Sequence, residues 1–372
     1  MKVAIIGAGA ISPAHVKGYL EFQDTCQIVA LCDIYPDKAQ ALAKDFALDV
    51  EIYDDHKKML ERTDIDLVSV CTPPYTHADI SIDFLNADTH VLVEKPMASS
   101  LAECDAMNEA AQKNNKLLSV IAQNRFTDPM MKLKHVLDTG LMGNILHTQV
   151  DSYWWRGTWE KEGGGCTLNH AVHHIDIFQW MNGMPAEVTA VMSNTAHDNA
   201  EVEDLSIAIC RNENGSLAQI TSSVVHHGEE QQLVFQGEHA RVSAPWKLTA
   251  SQSLENGFPE RDQALEEKIQ VAYDNQSDLT YEGHAGQIHD MLLAAAGKKD
   301  LLVDGRQGRQ TLELITAIYQ SSSLGESVTL PLDDTSPFYT REGVMKHATY
   351  FYEKKNIVEN FSENEITSGG NA

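Results

Sequence analysis

The first 33 residues constrain the fold more than any other part of this 372-residue chain. An apolar run, Val3 to Ile6, leads into Gly7-Ala8-Gly9-Ala10-Ile11-Ser12 and an amphipathic stretch, and a second apolar run, Gln27 to Cys32, ends on Asp33. Strand, glycine turn, helix, strand and acid, in that order, form the first unit of a doubly wound parallel sheet. Bare glycine backbone lets a pyrophosphate approach the amides that open the helix. A carboxylate about 20 residues further on accepts hydrogen bonds from an adenosine ribose and repels a 2′-phosphate. Gly7, Gly9, Ala10, Ile11 and Asp33 are therefore expected to hold a dinucleotide, with Ser12 in the place of the third glycine. No Arg or Lys follows Asp33 in Ile34-Tyr35-Pro36, so NAD is expected rather than NADP.

The alternation of short apolar runs and amphipathic stretches continues to residue 122. Leu67 to Cys71, His90 to Val93 and Leu117 to Ile121 read as strands, and Pro36 to Phe46, His77 to Leu85 and Leu101 to Asn114 as helices. Past Gln123 the pattern changes. Helices are expected at Pro129 to Thr139 and Thr167 to Met181. Period-two runs follow at Ala186 to Ser193, Asp204 to Arg211, Ser216 to Val225, Gln232 to Gln236 and Ala240 to Ala244, with Asn214-Gly215 as a hairpin signal. Helices from Gly283 to Leu293 and Gly305 to Ser323 and a strand from Ser327 to Leu332 close the pattern. The expected class is α/β: a Rossmann domain over 1–122, then an α+β domain over 123–332 with a large, mostly antiparallel sheet. Residues 333–372 are expected to form an arm with a flexible tip.

Asp and Glu number 54 against 28 Lys and Arg, a formal charge of −26, which repels phosphate backbones and anionic lipid. Nucleic acid and membrane are not expected partners. Six cysteines without a Cys-x-x-Cys pair suit a reducing compartment, and no signal peptide or 18-residue apolar stretch is present, so the cytoplasm is the expected location.

Two further loops follow strands of the first sheet: Thr72-Pro73-Pro74-Tyr75-Thr76-His77 and Glu94-Lys95-Pro96. With the glycine turn and Gln123-Asn124-Arg125-Phe126 at the crossover, these residues resemble the Gfo/Idh/MocA family of nicotinamide-dependent oxidoreductases, from Met1 to about Leu332. The resemblance implies that Lys95 sits beside the nicotinamide and hydrogen-bonds the reacting hydroxyl. It further implies cofactor contacts at Thr72, Pro73, His77, Glu94 and Gln123, and a substrate contact at Arg125. The chemistry agrees, because an ammonium near a forming alkoxide stabilises its charge.

The densest constellation is Gly163-Gly164-Gly165-Cys166-Thr167-Leu168-Asn169-His170-Ala171-Val172-His173-His174-Ile175-Asp176. On one helix, Asn169, His173 and Asp176 would share a stripe. Imidazole is the side chain suited to accept a proton near neutral pH. Sugar- and inositol-oxidising members of the family carry an acid four residues before such a histidine and another three after it. Here Asn169 replaces the first acid, which leaves His173 as the expected base, Asn169 to orient a hydroxyl and Asp176 to orient the histidine. His170, His174 and Cys166 invite a metal reading, but no His-Glu-x-x-His pattern supports it, and no metal is expected. His284, in Gly283-His284-Ala285-Gly286-Gln287, resembles a family helix bordering the pocket and is expected to meet substrate. In Tyr153-Trp154-Trp155-Arg156-Gly157-Thr158-Trp159, Trp155, Arg156 and Trp159 are expected to meet a sugar. This pattern resembles branches of the family acting on hexopyranosides and nucleotide-linked sugar acids.

The expected activity is NAD-dependent oxidation of a secondary ring hydroxyl in a sugar, glycoside or cyclitol, or the reverse reduction. One rival is an NAD-retaining enzyme that oxidises transiently to drive elimination or epimerisation. Another is a non-catalytic sensor of NAD. By analogy with the family, a homodimer or homotetramer is expected.

Overall fold

The computed structural model describes residues 1–155 and 164–355. The first sheet has six parallel strands: β1 (Lys2–Ile6), β2 (Gln27–Cys32), β3 (Glu51–Tyr53), β4 (Leu67–Val70), β5 (His90–Val93) and β6 (Leu118–Val120). Helices α1 (Ser12–Leu20), α2 (Pro36–Asp45), α3 (His56–Met59), α4 (His77–Asn86) and α5 (Leu101–Lys113) connect successive strands. The central strands read as apolar runs rather than alternating ones because helices cover both faces: all four residues of β4, Leu-Val-Ser-Val, are buried. The order is β3-β2-β1-β4-β5-β6. Chain order therefore reverses between β1 and β4, and the carboxyl ends of the strands beside that point form the crevice where open α/β sheets bind ligands.

After α6 (Asp128–Asp138) comes β7 (Ile145–Trp155), then α7 (Cys166–Asn169) and α8 (Val172–Asn182). The antiparallel part follows as β8 (Glu187–Ser193), β9 (Leu205–Arg211), β10 (Leu217–Ser223), β11 (Val225–Gly237), β12 (Ala240–Ala244), β13 (Lys247–Ser253) and β14 (Pro259–Arg261). The remaining elements are α9 (Gln263–Asn275), α10 (Gly283–Ala295), α11 (Gly305–Leu324), β15 (Val328–Thr329) and α12 (Arg341–His347). The nine strands of the second sheet lie in the order β14-β13-β12-β11-β7-β10-β9-β8-β15, with β7 and β10 parallel and the other pairs antiparallel. One face is buried where α8 packs on β7 and α11 on β8, and Val150, Ala208, Cys210 and Ile220 point into that core. The opposite face exposes Val191, Ile207, Ile209 and Leu217. The two halves meet side by side through α1 on α10 and α5 on α11.

Several elements depart from the sequence reading. The helix expected over Thr167 to Met181 is two helices, α7 and α8, broken at His170 and Ala171. The strands β3, β13 and β14 and the helix α9 were not expected. The strand read over Ser327 to Leu332 shortens to β15, since Pro331 has no N–H to continue a ladder. The arm folds back onto the body as far as residue 355. Ala102 N–H donates to Tyr339 O at 3.1 Å, Phe351 N–H donates to Glu201 O at 3.1 Å, and Phe338 is fully buried. Residues 356–372, where the expected flexible tip falls, lie outside the described residues.

Candidate active site

The glycine turn is built by close approach. Gly7 has φ +96°, and a Cβ there would lie 2.5 Å from Cys71 O, so only glycine fits between the ends of β1 and β4. Gly9 faces open space, with nothing within 4 Å of where its Cβ would stand, and Gly9 and Ala10 are exposed. Ile11 leads directly into α1. Ser12, buried in place of the third glycine, ties the helix start to the turn by donating from Oγ to Gly9 O at 2.7 Å. Asp33 closes the frame, accepting from Ala8 N–H at 2.7 Å and Tyr35 N–H at 2.8 Å. Each carboxylate oxygen keeps lone-pair capacity for a ribose hydroxyl.

Further along the same edge, Thr72 and Pro73 remain accessible, and Thr72 Oγ1 accepts from Thr76 Oγ1 at 2.7 Å. Gln123, three residues past the end of β6, holds a buried Oε1 with no partner among the described residues, an acceptor suited to an amide donor such as a carboxamide. The turn, Asp33 and this orphan acceptor together fit a nicotinamide dinucleotide laid along the carboxyl ends.

Two expected cofactor contacts turn inward instead. His77 is fully buried, with Nδ1 2.9 Å from Pro96 O and Nε2 2.7 Å from Thr72 O, so it ties the two edge loops together. Glu94 is 5% exposed and lies 3.0 Å from His15 Nε2 and 3.4 Å from His284 Nε2. His284, expected to meet substrate, is thus a partner of Glu94. Its ring stands edge-on to that of His15 at 5.3 Å. Burial alone would raise the Glu94 pKa, but hydrogen bonds from the two histidines hold it well below the ordinary carboxylate range. Burial lowers the pKa of His15. A neutral His15 that donates from Nε2 to Glu94 and accepts at Nδ1 from Ser69, 3.1 Å away, satisfies every bond. Ligand-type atoms of His15, Glu94 and His284 lie within 4.8 Å of one another, a spacing open to a cation, although these hydrogen bonds already satisfy them.

At the centre, the other oxygen of Glu94 accepts the Lys95 N–H at 3.1 Å, and Lys95 Nζ lies 3.5 Å from Asn169 O. His173 shares a cavity with Lys95, lined further by Ile121, Ala122 and Val172. Burial first, and then the Lys95 charge, push the His173 pKa well below 6.5, lower than the near-neutral value the sequence suggests. The imidazole is neutral at neutral pH. Asn169 spends a side-chain donor on Gly164 O at 2.6 Å, which fixes the turn carrying it. That turn rests on Glu203, which sequence reasoning missed. Glu203 accepts from Thr167 N–H at 3.0 Å and from Tyr319 OH at 2.8 Å, and a Cβ on Gly165 would overlap it at 2.2 Å.

Asp176 and Arg125 bind one another. Arg125 is fully buried and grips Asp176 in a two-pronged bond of 2.7 and 2.7 Å, while Thr311 Oγ1 donates to the same carboxylate at 2.9 Å. The pair ties α8 to the crossover segment, and Asp176 also lines the cavity of Lys95 and His173. His170 packs its ring 4.8 Å from that of Trp154, and His174 is buried, its pKa pushed down to about 4 by burial. Trp155 ends β7, but its side chain, and Arg156 and Trp159 entirely, lie outside the described residues.

Known proteins align with both halves. Residues 1–122 match the oxidoreductase family, NAD-binding Rossmann fold, and residues 130–243 match the GFO/IDH/MocA C-terminal domain. The chain is 29% identical over 182 residues to an inositol 2-dehydrogenase of Salmonella typhimurium, covering 49% of this chain and about half, 54%, of that relative. It is 26% identical over 360 residues to a D-glucoside 3-dehydrogenase of Escherichia coli, covering 89% of this chain and 97% of the relative. The WlbA dehydrogenase of Chromobactrium violaceum, solved in complex with NADH and UDP-GlcNAcA, superposes with a TM-score of 0.77 at 27% identity over 90% of this chain and 96% of that one. Matched along both halves in the same order, the chain belongs to the GFO/IDH/MocA family of oxidoreductases and carries its NAD-binding Rossmann fold.

Proposed function

We propose that the protein oxidises a secondary ring hydroxyl of a sugar, glycoside or cyclitol to a ketone with NAD, or runs the reverse reduction. The observation that carries this reading is the convergence of an ammonium, Lys95, and a neutral imidazole, His173, in one cavity at the carboxyl edge of the Rossmann sheet. When bound, NAD supplies the hydride acceptor at C4 of its nicotinamide ring. Lys95 Nζ donates to the substrate hydroxyl and stabilises the alkoxide as the O–H proton leaves. His173 takes that proton, and its depressed pKa keeps it free to do so. The asparagine at 169 cannot accept a proton, so it positions both the turn and a neighbouring hydroxyl. Residues 7–11, Asp33, Thr72, Pro73 and Gln123 hold the dinucleotide.

The near full-length likeness to a D-glucoside 3-dehydrogenase supports a pyranoside over a cyclitol. We infer a homo-oligomer that covers the exposed apolar face at Val191, Ile207, Ile209 and Leu217. A reducing cytoplasm suits six free, buried cysteines, and among the described residues no helix is long and apolar enough to cross a membrane.

The test is NAD reduction against a panel of pyranosides, free aldoses and inositols. NADH accumulating in step with ketone supports the reading. Turnover of a sugar without net NADH would instead establish the NAD-retaining rival, and NAD binding without turnover of any donor would favour the sensor.

A further inference from the structure

Beside the Lys95 cavity lies a second, larger chamber of about 130 Å³. Pro96, Leu312 and Ile315 line both. The chamber also begins at the immediate neighbours of site residues: Pro96 follows Lys95, Leu168 precedes Asn169, and Gly164 accepts the Asn169 side-chain bond. Its outer side is the C-terminal arm, which supplies Phe338, Val344, Ala348 and Tyr350. The arm is held to both halves by the bonds at Tyr339 and Phe351, and the Arg341 guanidinium lies 5.7 Å from the ring centre of Tyr75, in the loop that follows β4.

Most of the described lining is apolar, and two of its three charges are already engaged. Glu203 is held by Tyr319 and the Thr167 amide, and Arg341 sits over Tyr75. Glu201 and Glu203 outnumber the one described lining cation, Arg341, in a chain of net charge −26. A diphosphate or uronate tail placed here would meet more negative charge than positive. A lining made mostly of apolar side chains suits uncharged, largely apolar groups.

We propose that this chamber receives the aglycone of a glycoside, an uncharged and largely apolar group, while the sugar ring lies against Lys95 and His173. The proposal rests on the dehydrogenase reading above and narrows its substrate class. The arm then acts as a specificity wall for the substrate rather than a passive strap.

The test compares methyl and phenyl glucosides, free glucose and a UDP-linked sugar in two ways. One is kcat/KM for NAD reduction; the other is calorimetric affinity for the NADH-loaded protein, which needs no turnover. Phenyl glucoside should exceed methyl glucoside by about tenfold or more, the scale of added apolar contact in a pocket, with the UDP-linked sugar weakest. Val344→Trp, and independently Ala348→Trp, should fill the chamber and cut the phenyl-to-methyl ratio by about tenfold. Two positions on the arm guard against misfolding in one of them. Equal values for phenyl and methyl glucosides, or a ratio untouched by both substitutions, would overturn the proposal, as would preference for the UDP-linked sugar. Oxidation confined to inositols would overturn it while leaving the dehydrogenase reading intact. Loss of phenyl glucoside binding in both variants, with no turnover in the parent, would sustain the chamber and sink the dehydrogenase reading.

Discussion

Arg125→Met tests whether the Arg125–Asp176 pair is a structural anchor. The bond is two-pronged at 2.7 Å, with side chains 0% and 8% exposed. Removing the guanidinium leaves Asp176 with the Thr311 hydroxyl alone, an under-compensated charge inside the protein. Breaking a buried pair from one side costs about 3–5 kcal/mol, a large share of the roughly 5–15 kcal/mol that holds a domain together. Arg125→Met/Asp176→Leu removes both charges and should recover to within about 1 kcal/mol of the parent, because the desolvation cost disappears with the pair. Guanidinium chloride unfolding reads this as a lower midpoint for the single variant and a restored one for the double, at constant slope. An unchanged midpoint in Arg125→Met, with a raised KM for sugar and nothing else, would refute the anchor and return Arg125 to the substrate.

Further outcomes follow from the same geometry. Asp33→Ser with Ile34→Arg should move preference toward NADP, since a 2′-phosphate would meet a cation in place of a carboxylate; equal use of NAD and NADP by the unaltered protein would contradict the assignment of Asp33. His174 titrates near 6.5 when unfolded and near 4 when folded. The unfolded chain therefore binds the extra proton between those values, and stability present above pH 6.5 is lost as pH falls toward 4, by about 3 kcal/mol from this residue. Thermal unfolding of His174→Leu should show a shallower acid slope than the parent, and an identical slope would refute the burial argument. Lys95→Met should abolish turnover while NAD still binds, and the His173 imidazole, followed by NMR, should titrate at higher pH once the neighbouring charge is gone. A His173 pKa that stays put would remove Lys95 from its surroundings.

The Rossmann half was legible because its central strands are buried on both faces and so read as unbroken apolar runs; β4 and β5 appear in sequence nearly as they fold. The three-residue edge strand β3 offers no such run. In the second half, β13 is exposed at most positions and carries little apolar signal, so its place in the sheet comes from pairing with β12. The break between α7 and α8 was invisible, since the polar spacing runs through it unchanged. Lys95, Asn169 and His173 stood out as candidates because each lies in a dense local motif. Arg125 and Asp176 are 51 residues apart, so spacing along one helix could not show the ion pair that joins them. Glu203 and His15 lie in no motif that the sequence singled out, and only the fold brings them to Thr167 and Glu94.

The central claim is that His173 accepts the hydroxyl proton while hydride leaves for NAD, and the pH dependence of glycoside oxidation tests it most directly. The rate in the parent, followed by NADH absorbance, should hold at neutral pH and fall along an acid limb well below pH 6.5, where the imidazole protonates. In His173→Gln the remaining rate should be small and should lack that limb. A limb of the same position in His173→Gln, or a rate equal to the parent's, would show that another group takes the proton and would contradict the assignment.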